Sequence, residues 1–271
     1  ASWATVVAVF RVMPTALELP GLARMNATLE REVETRRRAE AQLVEQAAEL
    51  ERVNAKLHAR NLELAQFTRM AGHDLREMQA MRQSADKGAA GLADLFQRCA
   101  KMMMTIQSMP QPVIAQVHGV ATAAGCQLVA TCDMAVTSDQ ARFGVNGVNI
   151  GLFCSTPMVA LSRNIPRKQA FEMLVTGQFI DADRAEALGL INKVVPHDQL
   201  GSETEALAQL VASKLGTAVK VGKQAFYEQA QMSLEDAYAY TGDVMVENML
   251  FRDTEEGIAA FLEKRPPDWT Q

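Results

Sequence analysis

The feature that most constrains the fold is a run of small residues, "GVATAAGCQLVATCD" at 119–133. Short apolar stretches flank it, "PVIAQV" at 112–117 and "DMAVTS" at 133–138, and each predicts a strand. Ala and Gly between a strand and a helix let the backbone approach a ligand closely. The following helix presents free N–H groups with partial positive charge, which suits a developing oxyanion. Tight packing of helix against strand explains the same run, so both interpretations stay open.

From residue 70 onward, apolar segments with helical and strand spacing alternate, which predicts an α/β domain over 70–271. Asp181 is placed to cap one of the helices. Beyond residue 199 the pattern is mostly helical, so 199–271 is predicted to be a helical C-terminal part. The predicted helices lie at 92–106, 167–177, 181–189, 200–215, 217–231, 233–250 and 254–264, and a further strand lies at 190–195.

Residues 1–69 differ in composition and are predicted to form a separate region. Residues 26–69 contain no Gly or Pro and are rich in Glu, Arg, Ala and Leu. Leucines recur at seven-residue intervals, interrupted by Arg36, and asparagines fall where they favour a parallel dimeric coiled coil. One long amphipathic helix packed on its own domain explains the same pattern. The leucines are Leu29, Leu43, Leu50, Leu57 and Leu64, and the asparagines are Asn54 and Asn61.

The first ten residues, "ASWATVVAVF", are apolar but shorter than the roughly 20 residues that span a bilayer. They fit either the stub of a truncated membrane helix or a buried strand rich in β-branched valine. No basic segment precedes them, so a secretory signal is not expected. The predicted location is the cytoplasm, or the mitochondrial matrix if the cell is eukaryotic.

Charge and cysteine usage exclude several classes of function. The net charge is −5, whereas a nucleic-acid-binding protein would carry a basic footprint. The four cysteines, Cys99, Cys126, Cys132 and Cys154, match no zinc-binding spacing and lie among apolar residues. Buried free thiols in a reducing compartment are therefore expected, with no metal and no cofactor.

Several separated motifs together resemble the crotonase superfamily, which has the enoyl-CoA hydratase/isomerase fold. Besides the small-residue run they are "AGHDLREM" at 71–78, "FGVNGVNIGLFCSTP" at 143–157 and "EGIAAFLEKRPPDW" at 256–269. The motifs occur in the family order. The resemblance implies a ββα spiral core followed by a helical trimerisation region, and hence a homo-oligomer, either a trimer or a hexamer.

The resemblance also implies a site for an acyl-CoA thioester. In the family two backbone N–H groups hold the thioester carbonyl oxygen, and the matching residues here are His73 and Ala124. Phe261 and Lys264 in the last helix are expected to close over the nucleotide end of CoA, often from a neighbouring subunit, although a solvated surface lysine explains Lys264 at least as well. The remaining expected substrate contacts are Ala71, Gly72, Asp74, Leu75, Ala123 and Gly125.

Both glutamates that hold and activate water in enoyl-CoA hydratases are missing. The first matches Gln127, and the second matches Asn146 or Gly147. An amide orients a water molecule but cannot accept its proton at neutral pH, and positioned acid–base groups contribute roughly 10²–10⁴-fold each. The acids within 119–157 are Asp133 and Asp139, and Asp133 is expected to be structural. Hydration is therefore expected to be weak or absent, as in the similar enoyl-CoA hydratase domain-containing proteins without these glutamates.

Two further expectations follow from this alignment. If the fold is intact, the double substitution Gln127→Glu and Gly147→Glu should raise the rate of crotonyl-CoA hydration. Cys126 and Cys154 are expected to lie close enough to line the acyl pocket.

Residues 26–77 resemble a different family, the signalling helix and histidine box of sensor histidine kinases. Phe67, a short apolar spacer and "HDLRE" at 73–77 match that box, but the proline that follows it and the kinase ATP-binding domain are absent. The "NRP" and "NAL" stretches of a crotonase are not found before residue 70. We therefore predict a chimera joined near residues 70–77.

Two functions stay open at this point. The first is an acyl-CoA-binding crotonase that stabilises a thioester enolate without the hydratase glutamates. The second is a non-enzymatic dimerising coiled coil that carries a remnant crotonase domain. Trimers or hexamers would favour the first function, and dimers would favour the second.

Overall fold

The computed structural model describes residues 30–42, 44–45, 48 and 75–270, and the chain divides into two compact units, Ala1–Gln66 and Phe67–Gln271. In the first unit the described residues are helical and exposed. Ion pairs at i,i+4 spacing support this helix, Arg36 with Glu32 at 3.6 Å and Arg38 with Glu34 at 3.0 Å. The leucines and asparagines of the predicted coiled coil lie outside the described residues, so the coiled coil stays a prediction.

The described part of the second unit contains ten helices and six short strands. The helices are α1 (Leu75–Met81), α2 (Ala89–Ser108), α3 (Ala124–Thr131), α4 (Ser155–Asn164), α5 (Arg167–Thr176), α6 (Ala182–Ala187), α7 (Leu200–Ala212), α8 (Gly216–Gln229), α9 (Leu234–Met249) and α10 (Arg252–Glu263). The strands are β1 (Ile114–Val117), β2 (Val120–Thr122), β3 (Met134–Ser138), β4 (Arg142–Gly144), β5 (Ile180–Asp181) and β6 (Lys193–Val195). Two 3₁₀ turns cover Asn146–Ile150 and His197–Gln199.

The strands form two small sheets, and strands β1 to β4 belong to the two sheets in turn. The first sheet has the parallel order β1-β3-β6, with Ile114 opposite Met134 and Val136 opposite Lys193. The second has the order β2-β4-β5, in which β2 and β4 are parallel and β4 and β5 antiparallel. Consecutive strands β1 and β2 belong to different sheets, and helix α3 connects β2 of the second sheet to β3 of the first. This alternation places the start of α3 directly after a strand end.

The main hydrophobic core packs α3, α4 and α5 against the strands. Its most deeply buried side chains are of the aliphatic, aromatic and small apolar types that fill such cores. They include Cys126, Ala135, Ala141, Phe143, Val145, Leu161, Ala170, Leu174 and Ala185. The small residues of the 119–133 run therefore also pack the core, and the packing interpretation of that run is confirmed for Ala121, Cys126 and Ala130.

Most elements predicted from apolar spacing are present with shifted ends. Asp181 caps α6 as predicted, since its carboxylate accepts a hydrogen bond from the Arg184 N–H at 2.8 Å. Helix α4 was not predicted, because its buried residues are Pro157 and Leu161, too few to give a helical pattern. Within the described residues, no helix combines the length and apolar composition needed to cross a membrane.

Candidate functional site

A strained turn joins β2 to α3. Ala123 has φ 47° and ψ −114°, in a region that L-residues other than glycine rarely adopt. Its N–H donates to the carbonyl of Gly144 at 2.9 Å, which ties the turn to the end of β4. Strain of this kind persists where the surrounding structure holds it, and it concentrates at functional sites. The turn directs the backbone so that Ala124 becomes the first residue of α3.

The N-terminus of α3 opens into a cavity of about 710 Å³. The first N–H groups of a helix have no partner within the helix, and the structure records no acceptor for the Ala124 N–H among the described residues. Ala123, Ala124 and Gly125 all line the cavity. The predicted approach of the small-residue backbone to an open site is therefore present at these three residues.

The cavity walls are apolar on several sides. Leu75 and Met78 of α1 and Phe96 of α2 form one part of the lining. Ile150, Leu152 and Phe153, which follow the Asn146 turn, form another. Each of these six residues is too apolar to hold a charged group, so the cavity suits a hydrocarbon chain better than an ionic ligand.

The polar groups that line the cavity are hydroxyls and amides. Thr122 Oγ1 donates to Asn146 Oδ1 at 2.7 Å, and Asn149 Nδ2 donates to the carbonyl of Gly177 at 3.4 Å. Ser155 and Thr156 contribute hydroxyls at the start of α4. Among the described lining residues there is no Asp, Glu, His, Lys or Arg. This part of the cavity can therefore donate hydrogen bonds but carries no carboxylate or imidazole for proton transfer.

Gln127 does not line the cavity. Its side chain is 5% exposed and faces α2, where Oε1 lies 3.9 Å from Cys99 Sγ. Its backbone carbonyl accepts the Thr131 hydroxyl at 2.8 Å. In this arrangement the Gln127 amide contributes to the contact between α2 and α3. A water molecule bound to this amide would therefore lie outside the described part of the cavity.

Gly147 has no room for a side chain. A Cβ atom built there would lie 2.3 Å from the carbonyl oxygen of Leu152 and 2.9 Å from Cys154 Sγ. Real Cβ atoms do not approach backbone atoms so closely, so any larger residue requires the 147–154 loop to move. The expected gain of hydration in a Gln127→Glu, Gly147→Glu variant therefore meets a steric obstacle that the sequence did not reveal.

The other predicted contacts are only partly described. Ala71, Gly72, His73 and Asp74 lie outside the described residues, so the second predicted oxyanion donor stays a prediction. Leu75 begins α1 and lines the cavity.

Phe261 and Lys264, the residues predicted to cover the nucleotide, are not part of the described cavity lining. Phe261 is 81% exposed on α10, and Lys264 has a left-handed backbone (φ 56°) at the end of this helix. The structure therefore does not bring these two residues to the cavity of their own chain.

The cysteines are free thiols, as predicted. Cys154 is buried and lines the cavity, whereas Cys126 is fully buried in the core and does not. Burial raises the pKa of Cys126 from 9.0 to about 12. The pKa of Cys132 is also raised to about 12, by burial and by the neighbouring Asp133. Within the described residues, no cluster of His, Cys, Asp or Glu side chains could hold a metal ion.

Sequence reasoning missed Thr122 and Asn149 as cavity residues, whereas Cys154 was predicted and lines the cavity. Thr122 and Asn146 are separated by 24 positions, so their hydrogen bond leaves no local signal. The pairing of β2 with β4, in which Thr122 lies opposite Gly144, brings the two side chains together.

The described part of the second unit combines a mixed α/β fold, a helical C-terminal region and a cavity lined by backbone at a helix N-terminus. A family model described as enoyl-CoA hydratase/isomerase matches residues 65–271. The chain therefore belongs to the enoyl-CoA hydratase/isomerase family. The match includes residues 67–77, which also resemble a histidine box.

Individual relatives are similar over most of the second unit. The enoyl-CoA hydratase domain-containing protein 3, mitochondrial, of Xenopus laevis is 50% identical over 200 residues, 74% of this chain and 66% of that protein. The human protein of that name is also 50% identical over 200 residues, 64% of its length. The match thus spans slightly less than two thirds of these relatives.

A solved structure agrees with this assignment. The crystal structure of an enoyl-CoA hydratase of Mycobacterium smegmatis is 52% identical and has a TM-score of 0.69, covering 73% of this chain and 75% of that chain. The fold and the sequence similarity therefore lead to the same family.

Proposed function

We propose that the second unit binds an acyl-CoA thioester with its carbonyl oxygen at the N-terminus of α3. The observation that carries this proposal is the Ala124 N–H, which has no acceptor among the described residues, follows the Ala123 turn and belongs to a residue that lines an apolar cavity. A carbonyl oxygen is an acceptor of the right kind for this donor, and the partial positive charge at the helix end strengthens the bond. The apolar walls then receive the acyl chain.

The family resemblance supplies the second donor, the backbone N–H of His73. Two donors on one oxygen favour the enolate form of a thioester over the neutral form, because negative charge develops on that oxygen. Removing one such donor in other enzymes costs about 2.7–4 kcal/mol of transition-state stabilisation. We therefore propose an enolate-stabilising site of the enoyl-CoA hydratase/isomerase type.

We propose that hydration itself is weak. Gln127 is directed at α2, Gly147 has no side chain, and the described cavity lining carries no carboxylate. Without a positioned general base, water addition to an enoyl thioester loses roughly 10²–10⁴-fold per missing group. If the source organism is eukaryotic, the similarity to vertebrate proteins named as mitochondrial supports a mitochondrial location.

We also propose that the chain forms a homo-oligomer through its C-terminal helices. Large apolar side chains on and beside α9 and α10 are exposed in the single chain. They include Leu250, the residue after α9, and Phe261 on α10, both 81% exposed. Burial of such a surface against further copies would stabilise the assembly. A trimer would let Phe261 and Lys264 of one copy cover the nucleotide bound to its neighbour, as the resemblance implies.

The N-terminal predictions stay separate from this proposal. The coiled coil, the dimer that it would form and the chimeric junction near 70–77 rest on residues of which most lie outside the described ones. The non-enzymatic dimerising module is not favoured, since the family match extends over 65–271.

Calorimetric titration tests the proposal with three ligands that differ by defined groups. These are butyryl-CoA, the thioether S-butyl-CoA, which lacks only the carbonyl oxygen, and free CoA. We expect saturable binding of butyryl-CoA, weaker binding of the thioether, and the weakest binding of CoA. Equal affinity for thioester and thioether would contradict a carbonyl site at Ala124.

A further inference from the structure

Of the four cysteines, only Cys154 belongs to the described cavity lining. Its side chain is 7% exposed, so the thiol is shielded from bulk solvent but lies at the wall of a cavity of about 710 Å³. No hydrogen-bond partner is recorded for this thiol among the described residues. Whatever enters the cavity therefore meets a nucleophilic sulfur that has no competing polar contact.

The N-terminus of helix α4 lies beside this thiol. Cys154 directly precedes α4, a helix of 10 residues, and its side chain makes no capping hydrogen bond. The Ser155 N–H donates to the carbonyl of Phe153 at 2.8 Å, whereas no acceptor is recorded for the Thr156 N–H among the described residues. Free N–H groups at a helix start carry partial positive charge, and the reactive form of cysteine is an anionic thiolate. The start of α4 therefore suits a reacting thiol.

The other three cysteines lie in surroundings that suppress this reactivity. Burial raises the pKa of Cys99, and it raises the pKa of Cys126 to about 12. Cys132 is partly exposed outside the described cavity lining, and its pKa is raised to about 12 by burial and by the neighbouring Asp133. Thiols with such pKa values form little thiolate at neutral pH. Exposure alone would select Cys132 for reaction, whereas the cavity selects Cys154.

The cavity walls determine which electrophile reaches the thiol. Leu75, Met78, Phe96 and Leu152 make these walls apolar, and the described lining holds no Lys, Arg or His that would attract an anion. Leu75 and Ile150 are 54% and 61% exposed, so the cavity is open to solvent at these residues. A molecule with a hydrocarbon tail gains free energy in such a cavity in proportion to the apolar area that it buries. Unsaturated ketones and aldehydes with an alkyl tail combine this property with a soft electrophilic carbon.

We infer that Cys154 is a site of covalent modification by α,β-unsaturated carbonyl compounds that carry a hydrocarbon tail. In the reaction the sulfur forms a bond to the β carbon, the carbon–carbon double bond becomes a single bond, and the thiol proton ends on the α carbon. No oxidant or further reactant is needed. The adduct leaves its tail in the cavity and thereby excludes an acyl chain, a consequence that rests on the proposed function.

Two ketones that differ only in the length of the tail provide the test, 3-penten-2-one and 3-nonen-2-one. The full chain is incubated with each at neutral pH, and mass spectrometry of the intact protein and of its peptides gives the rate and position of the adduct. We expect one adduct, at Cys154. Relative to the ratio of the two rates with free N-acetylcysteine, the longer ketone should react at least about tenfold faster, as expected from burial of about two methylene groups.

Variants and a competing ligand relate the adduct to the cavity. Cys154→Ser should abolish the adduct, whereas Cys132→Ser is the matched cysteine control and should leave its rate unchanged. If Cys154→Ser does not fold, the peptide map of the unmodified protein still locates the adduct. Saturating butyryl-CoA should slow the reaction at least about tenfold, and the alkylated protein should bind butyryl-CoA at least about tenfold more weakly in calorimetry. Thermal unfolding before and after alkylation establishes that the fold is retained.

The outcomes distinguish this inference from the proposed function. An adduct mainly at Cys132, no adduct, or a Cys154 that reacts with both ketones in the free-thiol ratio overturns the inference and leaves the acyl-CoA site standing. An alkylated protein with unchanged affinity for butyryl-CoA also overturns it. A tail-dependent adduct at Cys154 in a folded protein that does not bind butyryl-CoA supports the modification site and overturns the proposed function. Tail-dependent alkylation that butyryl-CoA prevents supports both.

Discussion

The two ends of helix α3 have opposite chemical surroundings. At its N-terminus, Ala124 and Gly125 face a cavity whose described lining carries no Asp, Glu, His, Lys or Arg. Just beyond its C-terminus, Asp133 forms a buried ion pair with Lys223 at 2.6 Å. The Asp133 carboxylate beyond the C-terminus of α3 thus has a structural role, whereas the N-terminus of α3 offers backbone N–H groups to a ligand.

The ionic end of α3 is fully hydrogen-bonded. Asp133 also accepts from Tyr227 Oη at 2.8 Å and from the N–H of Val113 at 2.6 Å. Lys223 Nζ also donates to the carbonyls of Ile106 at 2.8 Å and Gln111 at 2.9 Å. All three protons of the ammonium group therefore have acceptors, and the predicted structural role of Asp133 is confirmed. A buried charge that is paired in this way stabilises contacts among α2, β3 and α8.

The largest effect is expected from removing the cation of this pair. Lys223→Met keeps most of the side-chain stem but leaves the Asp133 carboxylate buried without its partner. We expect the free energy of unfolding to fall by about 3–5 kcal/mol, measured by urea denaturation at neutral pH. Lys193→Met is the matched control, since it breaks an exposed pair with Glu203 and should cost less than about 1 kcal/mol. Equal losses in the two variants would mean that the buried pair contributes no more than a surface pair.

At the cavity end, the next largest effect is expected at Gly147. Gly147→Ala places a Cβ against the Leu152 carbonyl oxygen, and the required loop movement should destabilise the protein by about 1–3 kcal/mol. Gly222→Ala in α8 has open space around the new methyl group and should instead stabilise the helix by about 0.5–1 kcal/mol. Urea denaturation of both variants measures the contrast. An unchanged stability in Gly147→Ala would show that the 147–154 loop adapts freely.

Alkaline pH should act on both ends of α3 through their thiols. The pKa values of Cys126 and Cys132 are raised from 9.0 to about 12 in the folded state, chiefly by burial. Unfolded chains lose these protons near pH 9, so the stability from protonated thiols is complete below pH 9 and is lost as the pH rises towards 12. Each thiol should account for about 1 kcal/mol of the loss between pH 9 and pH 10.

A cysteine variant isolates this contribution from other alkaline effects. Cys126→Ala should lower the stability at every pH but make its decline between pH 9 and pH 10 shallower by about 1 kcal/mol. Val129→Ala removes buried carbon from the same helix without a titratable group, and its decline should parallel that of the unmodified protein. Parallel curves for both variants would assign the decline to groups other than Cys126.

The smallest effect is expected at the strained turn. Ala123→Gly relieves a backbone conformation with positive φ, a gain partly offset by the greater freedom of glycine in the unfolded chain. We expect a stabilisation of up to about 1 kcal/mol. Ala121→Gly, in the regular strand β2, has no strain to relieve and should lose about 0.5–1 kcal/mol. A loss of similar size in both variants would argue that the Ala123 turn stores no strain.

Much of the fold could be predicted from apolar spacing and from residues with strong local effects. Strands β1, β3 and β6 are short apolar runs, and Asp181 caps α6 as its position before the helix indicated. Helix α4 could not be predicted from apolar spacing, because only two of its residues are buried. Local patterns identify an element when one of its faces is mostly apolar, and they miss elements whose stability depends on neighbours far along the chain.

The candidate site could be predicted only where it is built from backbone. The small-residue run indicated the open end of α3, because Ala and Gly there leave the N–H groups accessible. Side-chain roles depend on tertiary packing, which sequence position did not reveal: Gln127 faces Cys99, Gly147 is enclosed by Leu152, and Thr122 orients Asn146.

The central claim is that the backbone at the start of α3 polarises a thioester carbonyl. The most direct test is the ¹³C NMR shift of butyryl-CoA labelled at its carbonyl carbon, recorded free and with saturating protein. Our account predicts a downfield shift of the bound carbonyl, because N–H donors draw electron density towards the oxygen. A ligand that binds while its carbonyl resonance keeps the free shift would contradict the account.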